Sequence, residues 1–299
     1  MPTLYVVATP IGNLKDISPR ALETLRGCAL IAAEDTRVTR KLLAHFDIRV
    51  PLISCHRHNE ARRSDEITAR MLDEGIDVAL TCDAGTPALS DPGYALVEAA
   101  WAAGIRVVPV CGASALTTAL SASGFDSREF AFYGFLRREK GALREKLAAI
   151  AGSGVPVAVI YESPHRIVGL MEQVAATLPG ALAAVCCDLS KYYETIERGD
   201  AETVLELLRV NPNVKKGEYT VVLDLRGVTL PEEDSHPAMD TPELVTLSGM
   251  LDGRSLEDAA REATLCGLAR NEAYRAKLRV KRLFAAYTLE KPTVPDMER

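Results

Sequence analysis

Leu80–Gly93 reads L-T-C-D-A-G-T-P-A-L-S-D-P-G: a short apolar strand, a glycine–proline loop, and Pro92 placed to open a helix. Gly85 carries no Cβ, so a ligand can approach its backbone, and the helix start beyond offers unpaired N–H groups. The same residues also suit an ordinary strand-to-helix turn. Other segments of similar build decide between the two readings.

The first strand runs into T-P-I-G-N-L-K-D, where Gly12 and Asn13 permit a sharp turn at the strand's carboxyl end, the place where open α/β sheets hold ligands. E-D-T-R (34–37) follows the second strand. There Asp35 or Thr36 can cap a helix, and Arg37, with Arg40 and Lys41 a turn along, can face an anionic substrate. S-C-H-R-H-N-E (54–60) sets His56 and His58 two apart. Without acid or cysteine partners at metal-ligand spacing, they read as loop polarity or substrate contacts, and no metal site is expected. After Val110 come Cys111, Gly112, Ala113, Ser114 and Ala115, whose small side chains leave room for a flat ligand or for close helix–strand packing. Y-E-S-P-H-R (161–166) and D-L-S-K-Y-Y-E (188–194) put Glu162, Lys191 and two tyrosines just past further strand ends. Such strand ends gather into a site where two domains meet in a cleft. Neither the G-x-G-x-x-G dinucleotide fingerprint nor a G-x-x-x-x-G-K-[ST] phosphate loop occurs.

The elements that must hold these segments alternate. Strands are expected at 4–9, 28–33, 51–54, 77–81 and 105–110, with helices between them: one capped by Ser18-Pro19 and ended by Gly27, then 38–45, 60–74 and 92–103. Near-continuous apolar strands alternating with helices predict a parallel sheet covered on both faces. Beyond Gly124 the expected strands are 129–134, 155–161, 182–189, 195–197 and 218–225. Helices fall at 141–150, from Ser163-Pro164 onward, and at 201–210, which suits a mixed α+β domain. The division expected is 1–116 for an N-terminal α/β domain, 117–227 for a second domain, an acidic linker at 228–240, and a helical tail at 241–299.

In that tail, Ser255-Leu256-Glu257-Asp258 caps one helix that Gly267 ends, and a second runs over about 271–287, resembling a helix-turn-helix unit. On the second helix Ala273, Ala276, Val280, Leu283, Phe284 and Tyr287 share the face that must pack inward. Arg275, Arg279 and Arg282 form one flanking stripe, and Lys277 and Lys281 lie on the other flank. The stripe reads as an RNA-docking surface or as a solvated helix face.

At 299 residues and 47% apolar the chain can bury the cores of two domains. A net charge of −6 argues against a protein that coats nucleic acid but allows a local basic patch, and Arg270–Arg282 holds six basic residues against one acid. Apolar runs are too short to span a bilayer, and the first ten residues read as a strand rather than a signal peptide. Seven cysteines, an odd number without a C-x-x-C pair, suit reduced thiols in a cytoplasmic protein.

In order along the chain, T-P-I-G-N-L-K-D, E-D-T-R, D-A-G-T-P-A-L-S-D-P-G, S-A-S-G-F, Y-E-S-P-H-R and K-G-E resemble the bacterial 16S ribosomal RNA 2′-O-ribose methyltransferases of the tetrapyrrole methylase superfamily. The resemblance covers about Thr3 to Leu225, and more weakly the tail. It implies two α/β domains with S-adenosylmethionine in the cleft between them, and methyl transfer to the ribose of a cytidine in the decoding region of the small ribosomal subunit. Gly85-Thr86-Pro87 matches the cofactor loop, with Leu89 and Ser90 lining the pocket and Asp83 at its edge. Ser114 and Ala115 match the small residues beside the cofactor, and Tyr161 and Glu162 close the pocket from the second domain. Pro10 joins the cofactor set, while Gly12 and Asn13 face the methyl acceptor. Cys111-Gly112-Ala113 stands where the family shows P-G-P, Cys187-Asp188 where it shows Arg-Glu, and Arg137 where it shows proline.

A ribose hydroxyl is a poor nucleophile until its proton leaves or is shared, so a base within hydrogen-bond reach is expected. Asp35 and Glu162 are the candidate bases and Lys191 the candidate cation. Each could instead be a cap or an ion-pair partner. Arg37, His56, His58, Arg275, Arg279 and Arg282 are the candidate RNA contacts, and a homodimer is expected. The rival readings are a methyltransferase acting on a tetrapyrrole or another small molecule, and a non-catalytic ribosome-binding factor.

Overall fold

The computed structural model describes residues 1–229, 242–251, 253–265 and 268–289, without the side chains of 242–244, 251 and 282–289. It forms two compact units, Met1–Leu230 and Pro231–Arg299.

Two five-stranded sheets make up the larger unit. The first contains β1 (Thr3–Val7), β2 (Leu30–Ala33), β3 (Leu52–Ser54), β4 (Val78–Thr81) and β5 (Arg106–Val110) in the order β3-β2-β4-β1-β5, every pair parallel. Strand alternation sends Leu4, Leu30, Ala32, Val78 and Leu80 to one face, where α3 (Glu60–Glu74) and α4 (Tyr94–Ala102) bury Ile67, Met71, Leu96 and Ala100. Val7, Ile31 and Ala79 point to the other face, covered by Ala21 and Leu25 of α1 (Pro19–Gly27) and Leu43 of α2 (Thr36–His45). Ser18 starts α1 by accepting from the Ala21 N–H at 3.1 Å, with Pro19 in the first turn.

The second sheet is mixed, in the order β6-β7-β10-β8-β9, from β6 (Ala131–Phe135), β7 (Val157–Glu162), β8 (Leu182–Cys187), β9 (Thr195–Asp200) and β10 (Tyr219–Asp224). β6 and β7 are parallel, and the remaining neighbours are antiparallel. Three helices, α6 (Lys140–Ala151), α7 (Ile167–Thr177) and α8 (Ala201–Val210), bury Leu147, Met171 and Val204 on one face. The opposite face is covered by Ala119 and Leu120 of α5 (Ala115–Ser123) together with Ile11. The expected division at 116/117 thus falls inside a helix that packs on the second sheet. The helix expected from Ser163-Pro164 begins three residues later, at Ile167. Ser163–Arg166 instead forms a turn, with the Arg166 N–H on the Ser163 carbonyl at 3.0 Å.

In the smaller unit α9 (Pro242–Leu251), α10 (Leu256–Leu265) and α11 (Arg270–Leu289) pack mutually. The tail is therefore a three-helix cluster rather than a lone helix-turn-helix pair. Ser255 Oγ accepts from the Asp258 N–H at 3.1 Å, and Ala259, Ala263, Ala273, Ala276 and Val280 are buried. Gly267, most of the expected linker, and the side chains of Arg282, Leu283, Phe284 and Tyr287 lie outside the described residues. Among the described residues no helix is long and apolar enough to cross a membrane.

Candidate active site

The carboxyl ends of β1, β4 and β5 face the ends of β7 and β10 across a cavity of about 390 Å³. From the first sheet it is lined by Ile11, Glu34, the loop 83–86, Leu89, Ser90 and Asp91. Ser114 and Ala115 stand at the start of α5, and the second sheet adds Phe135, Tyr161, Glu162, Ser163, Pro164 and Glu218 to Thr220.

Backbone geometry shapes the loop 83–93. Gly85 (φ 85°) exchanges two backbone hydrogen bonds with Thr9, and the Thr86 hydroxyl reaches the Ala113 carbonyl at 3.5 Å. Ala88 (φ 66°) and Ser90 (φ 69°) sit in the left-handed region that side chains avoid, a strain that persists only where surrounding contacts impose it. Here the Arg57 guanidinium donates to the Ser90 carbonyl at 3.2 Å. Gly134 of β6 also packs against Ser90, so that a Cβ on it would stand 2.8 Å from the Ser90 hydroxyl.

One wall is acidic. Burial, reinforced by the charge of Glu34, pushes the Asp91 carboxyl up to about 6. Burial also raises Glu34, although the Asp83 N–H donates to it at 3.3 Å, and raises Asp83, which accepts from the Asp35 N–H at 3.1 Å. The opposite wall is aromatic: Tyr161 meets Phe132 edge-on at 4.8 Å and Phe135 at 5.8 Å. Glu162, 2% exposed, accepts from the Ser163 N–H at 2.7 Å and pairs with Arg166 at 3.0 Å.

The profile of the tetrapyrrole (corrin/porphyrin) methylases matches residues 3–205, two-thirds of the chain and the whole of this cleft's first sheet. The chain belongs to the tetrapyrrole methylase family. Relatives named ribosomal RNA small subunit methyltransferase I include one from Xylella fastidiosa, 46% identical over 74% of this chain and 81% of its own length. Another from Pseudomonas aeruginosa is 41% identical over 92% of this chain and 96% of its own. Among solved structures, diphthine synthase superposes with a TM-score of 0.58 at 15% identity, covering 76% of this chain and 91% of that one. Uroporphyrin-III C-methyltransferase from Thermus thermophilus, solved with S-adenosylhomocysteine, superposes with a TM-score of 0.52 at 16% identity, covering 74% and 97%. These two show the fold alone.

Within this tetrapyrrole methylase, Asp83, Gly85, Thr86, Leu89, Ser90, Ser114, Ala115, Tyr161 and Glu162 are brought together on one cavity. Pro10 is buried beside it, and its neighbour Ile11 makes the contact instead. Asp35 is not on the lining. It caps α2, accepting from the Arg37 N–H at 2.8 Å, and takes the Arg37 guanidinium in a two-pronged pair. Those Arg37 bonds hold its carboxyl down at about 2, and its oxygens are engaged in capping α2 and in that pair.

Lys191 is set back as well. Its ammonium binds Asp188 and Glu218, both at 2.8 Å; burial works to lower its pKa, but these bonds raise it on balance. Gly12 backs onto the Lys191 side chain and the Leu189 carbonyl, leaving no room for a Cβ. Asn13 caps the 3-10 turn Leu14–Asp16. His56 and His58 meet edge-on at 6.0 Å away from the lining, and no group of three metal-ligating side chains occurs among the described residues. In the other unit Arg275 and Arg279 are exposed, while Lys277 pairs with Glu257 at 2.7 Å.

Sequence reasoning missed Asp91, Ile11, Phe135 and the Glu218–Thr220 wall. Asp91 stood inside the loop already singled out, beside Pro92, the expected opening of a helix that begins instead at Tyr94. The exposed cations Arg138 and Lys140 were passed over too, and Arg137, exposed beside them, was noted only as a departure from the family's proline.

Proposed function

We propose that this chain uses S-adenosylmethionine to methylate ribosomal RNA of the small subunit, at the 2′-hydroxyl of a cytidine ribose in 16S RNA. The observation that carries the reading is a ligand-sized cavity at facing strand ends whose one wall is acidic and whose other wall is aromatic. The relatives' name supplies the substrate class.

The lining suits this cofactor: a sulfonium and an ammonium call for carboxylates, which Glu34 and Asp83 supply, and an adenine ring calls for apolar and aromatic surface, which Ile11, Leu89, Phe135 and Tyr161 supply. Gly85, Thr86, Leu89, Ser90, Ser114, Ala115 and Tyr161 would hold it. When bound, S-adenosylmethionine supplies an electrophilic methyl group.

The protein's own contribution is alignment and proton handling. A carboxylate poised near the working pH makes the better general base, so an Asp91 Oδ takes the proton of the ribose hydroxyl. Glu162, tied to Arg166 and Ser163, fixes the wall beside it. Lys191 stays charged and positions Glu218. The basic residues Arg137, Arg138 and Lys140 and the tail arginines Arg275, Arg279 and Arg282 meet RNA phosphates, Arg37, His56 and His58 flank the acceptor, and the enzyme works in the cytoplasm on assembled small subunits. Tyr94 and Trp101, seven residues apart on one face of α4 and both exposed, provide an apolar surface for a homodimer.

The test is methyl transfer from labelled S-adenosylmethionine to small subunits prepared from cells lacking the protein, with the modified nucleotide mapped by mass spectrometry. One ribose methyl on a 16S cytidine is expected. Label absent from the RNA, or found on a base, would overturn the assignment.

A further inference from the structure

Tyr192 and Tyr193 are the most exposed aromatic side chains among the described residues, at 92% and 78%, and their rings meet edge-on at 4.8 Å. Two neighbouring rings left in water forgo burial that large apolar groups ordinarily obtain, and paired exposure of this kind marks contact surfaces.

The backbone beneath them is firmly held. Asp188 (φ 51°) and Ser190 (φ 69°) both adopt the left-handed conformation that non-glycine residues avoid. The turn is fixed by four side-chain ties: Lys191 to Asp188 and to Glu218, the Ser190 hydroxyl to Asp16, and the Ser190 N–H to Glu194 at 2.5 Å. Gly12 presses on the Lys191 stem from the other side. A strained turn secured in this way presents its two rings at a fixed place. That place is beside the cavity, because Glu218, which holds Lys191, lines it, and so does Ile11, next to Gly12.

We infer that Tyr192 and Tyr193 form a stacking platform for an unpaired base of the RNA substrate, next to the nucleotide whose ribose enters the cavity. The inference rests on the RNA-methylation reading above. Aromatic side chains stack on splayed bases of single-stranded RNA whatever their sequence, and a nucleotide must leave its stack for its ribose to enter a cleft. Local charge permits it. Four carboxylates at the turn, Asp16, Asp188, Glu194 and Glu218, are balanced by Lys191 and by the exposed Lys15, Lys215 and Lys216 on the two flanking segments.

The test measures binding of the full chain to a fluorescein-labelled single-stranded RNA oligonucleotide by anisotropy, alongside the same oligonucleotide with abasic sites. S-adenosylmethionine affinity by calorimetry serves as the internal control. Y192A/Y193A is expected to weaken binding of the intact RNA roughly ten-fold or more, leave the abasic RNA and cofactor affinities unchanged, and be rescued by Y192F/Y193F. Wild-type affinity in the double alanine variant, equal losses on intact and abasic RNA, or failure of phenylalanine to rescue would each overturn the platform. Wild-type protein that binds the cofactor but neither oligonucleotide would also overturn the platform, whereas the RNA reading itself falls only if methyl transfer to small subunits fails.

Discussion

Gly85 and Thr9 exchange both of their backbone hydrogen bonds, at 2.8 and 3.0 Å, an isolated antiparallel bridge that fastens the glycine loop to the end of β1. The loop is therefore held at φ 85° by partners on another element, and any side chain at residue 85 must accept that conformation at about 1–2 kcal/mol. A Cβ there would meet Ile11 Cγ2 at 3.5 Å, an ordinary contact, but the branches of valine would extend over the cavity lining. Gly85→Val should lose cofactor affinity about ten-fold or more by calorimetry while keeping its far-UV circular dichroism. Gly85→Ala should lose less. Wild-type affinity in a folded Gly85→Val protein would remove this loop from the cofactor site.

Asp91 gives a pH signature. Its carboxyl, pushed by burial and by Glu34 from 3.8 to about 6, must be deprotonated to accept a proton. Turnover should therefore rise with pH through about 6 and level off above it. Asp91→Asn should slow methyl transfer by about 10²–10⁴-fold and remove that limb of the profile. Stability runs the other way. An acid whose folded pKa is raised binds its proton more tightly when folded, so its stabilising share is present below about 4 and is lost as pH rises through about 6. Asp91→Asn should accordingly melt at or above the wild-type temperature at pH 7.5 in calorimetry, and a lower melting temperature would contradict this account.

Buried Glu162 at the end of β7 pairs with Arg166, whose side chain is 25% exposed. Removing the cation strands a carboxylate that is 2% exposed and releases the Leu136 and Arg137 carbonyls. Arg166→Ala should cost about 1–3 kcal/mol in urea unfolding, below the figure for a fully buried pair because water reaches the arginine. Glu162→Gln should cost less, and the double variant less than the sum of the two, because the same pair is broken only once.

Arg137 and Arg138 follow the strand that supplies Phe135 and Lys140 opens α6, and their side chains carry no ion pair among the described residues. If they meet phosphates, replacing all three with alanine should flatten the salt dependence of RNA binding by about 0.7–0.9 for each phosphate that is no longer neutralised, with cofactor affinity unchanged. The same measurement on R275A/R279A reports on the helical tail independently. An unchanged slope in either variant marks that patch as a solvated face.

Legibility in the sequence followed physical range. The alternating sheet, its helices, the Gly85 loop and the small residues at Ser114 could be read because local signals encode them, namely apolar periodicity, caps, and glycine where a backbone must turn, whereas Thr86 and Tyr161 came with the family resemblance. Asp35 shows the converse. Its local pattern fitted a cap and a base equally, and the Arg37 pairing that engages its oxygens depends on side-chain placement. Asp91 escaped because its acidity is set by burial beside Glu34, 57 positions earlier in the chain, which no local pattern encodes. The start of α7 was misplaced because Ser163-Pro164 is a good helix opening locally, whereas Arg166 is recruited to the Leu136 and Arg137 carbonyls.

The strand order sets a timetable for synthesis. The first sheet is complete once Val110 has been made, and its helices α1 to α4 lie within the same stretch, so this half can pack while the remainder is still being translated. The second sheet cannot close as early. Its central strand, β10, is the last to be made, and until Tyr219–Asp224 emerges β7 and β8 have no common neighbour. A nascent chain thus carries half a binding cleft for about a hundred residues of elongation, its carboxylates in water and Asp91 not yet enclosed by the second sheet. The cleft closes with the final strand, in a single late step.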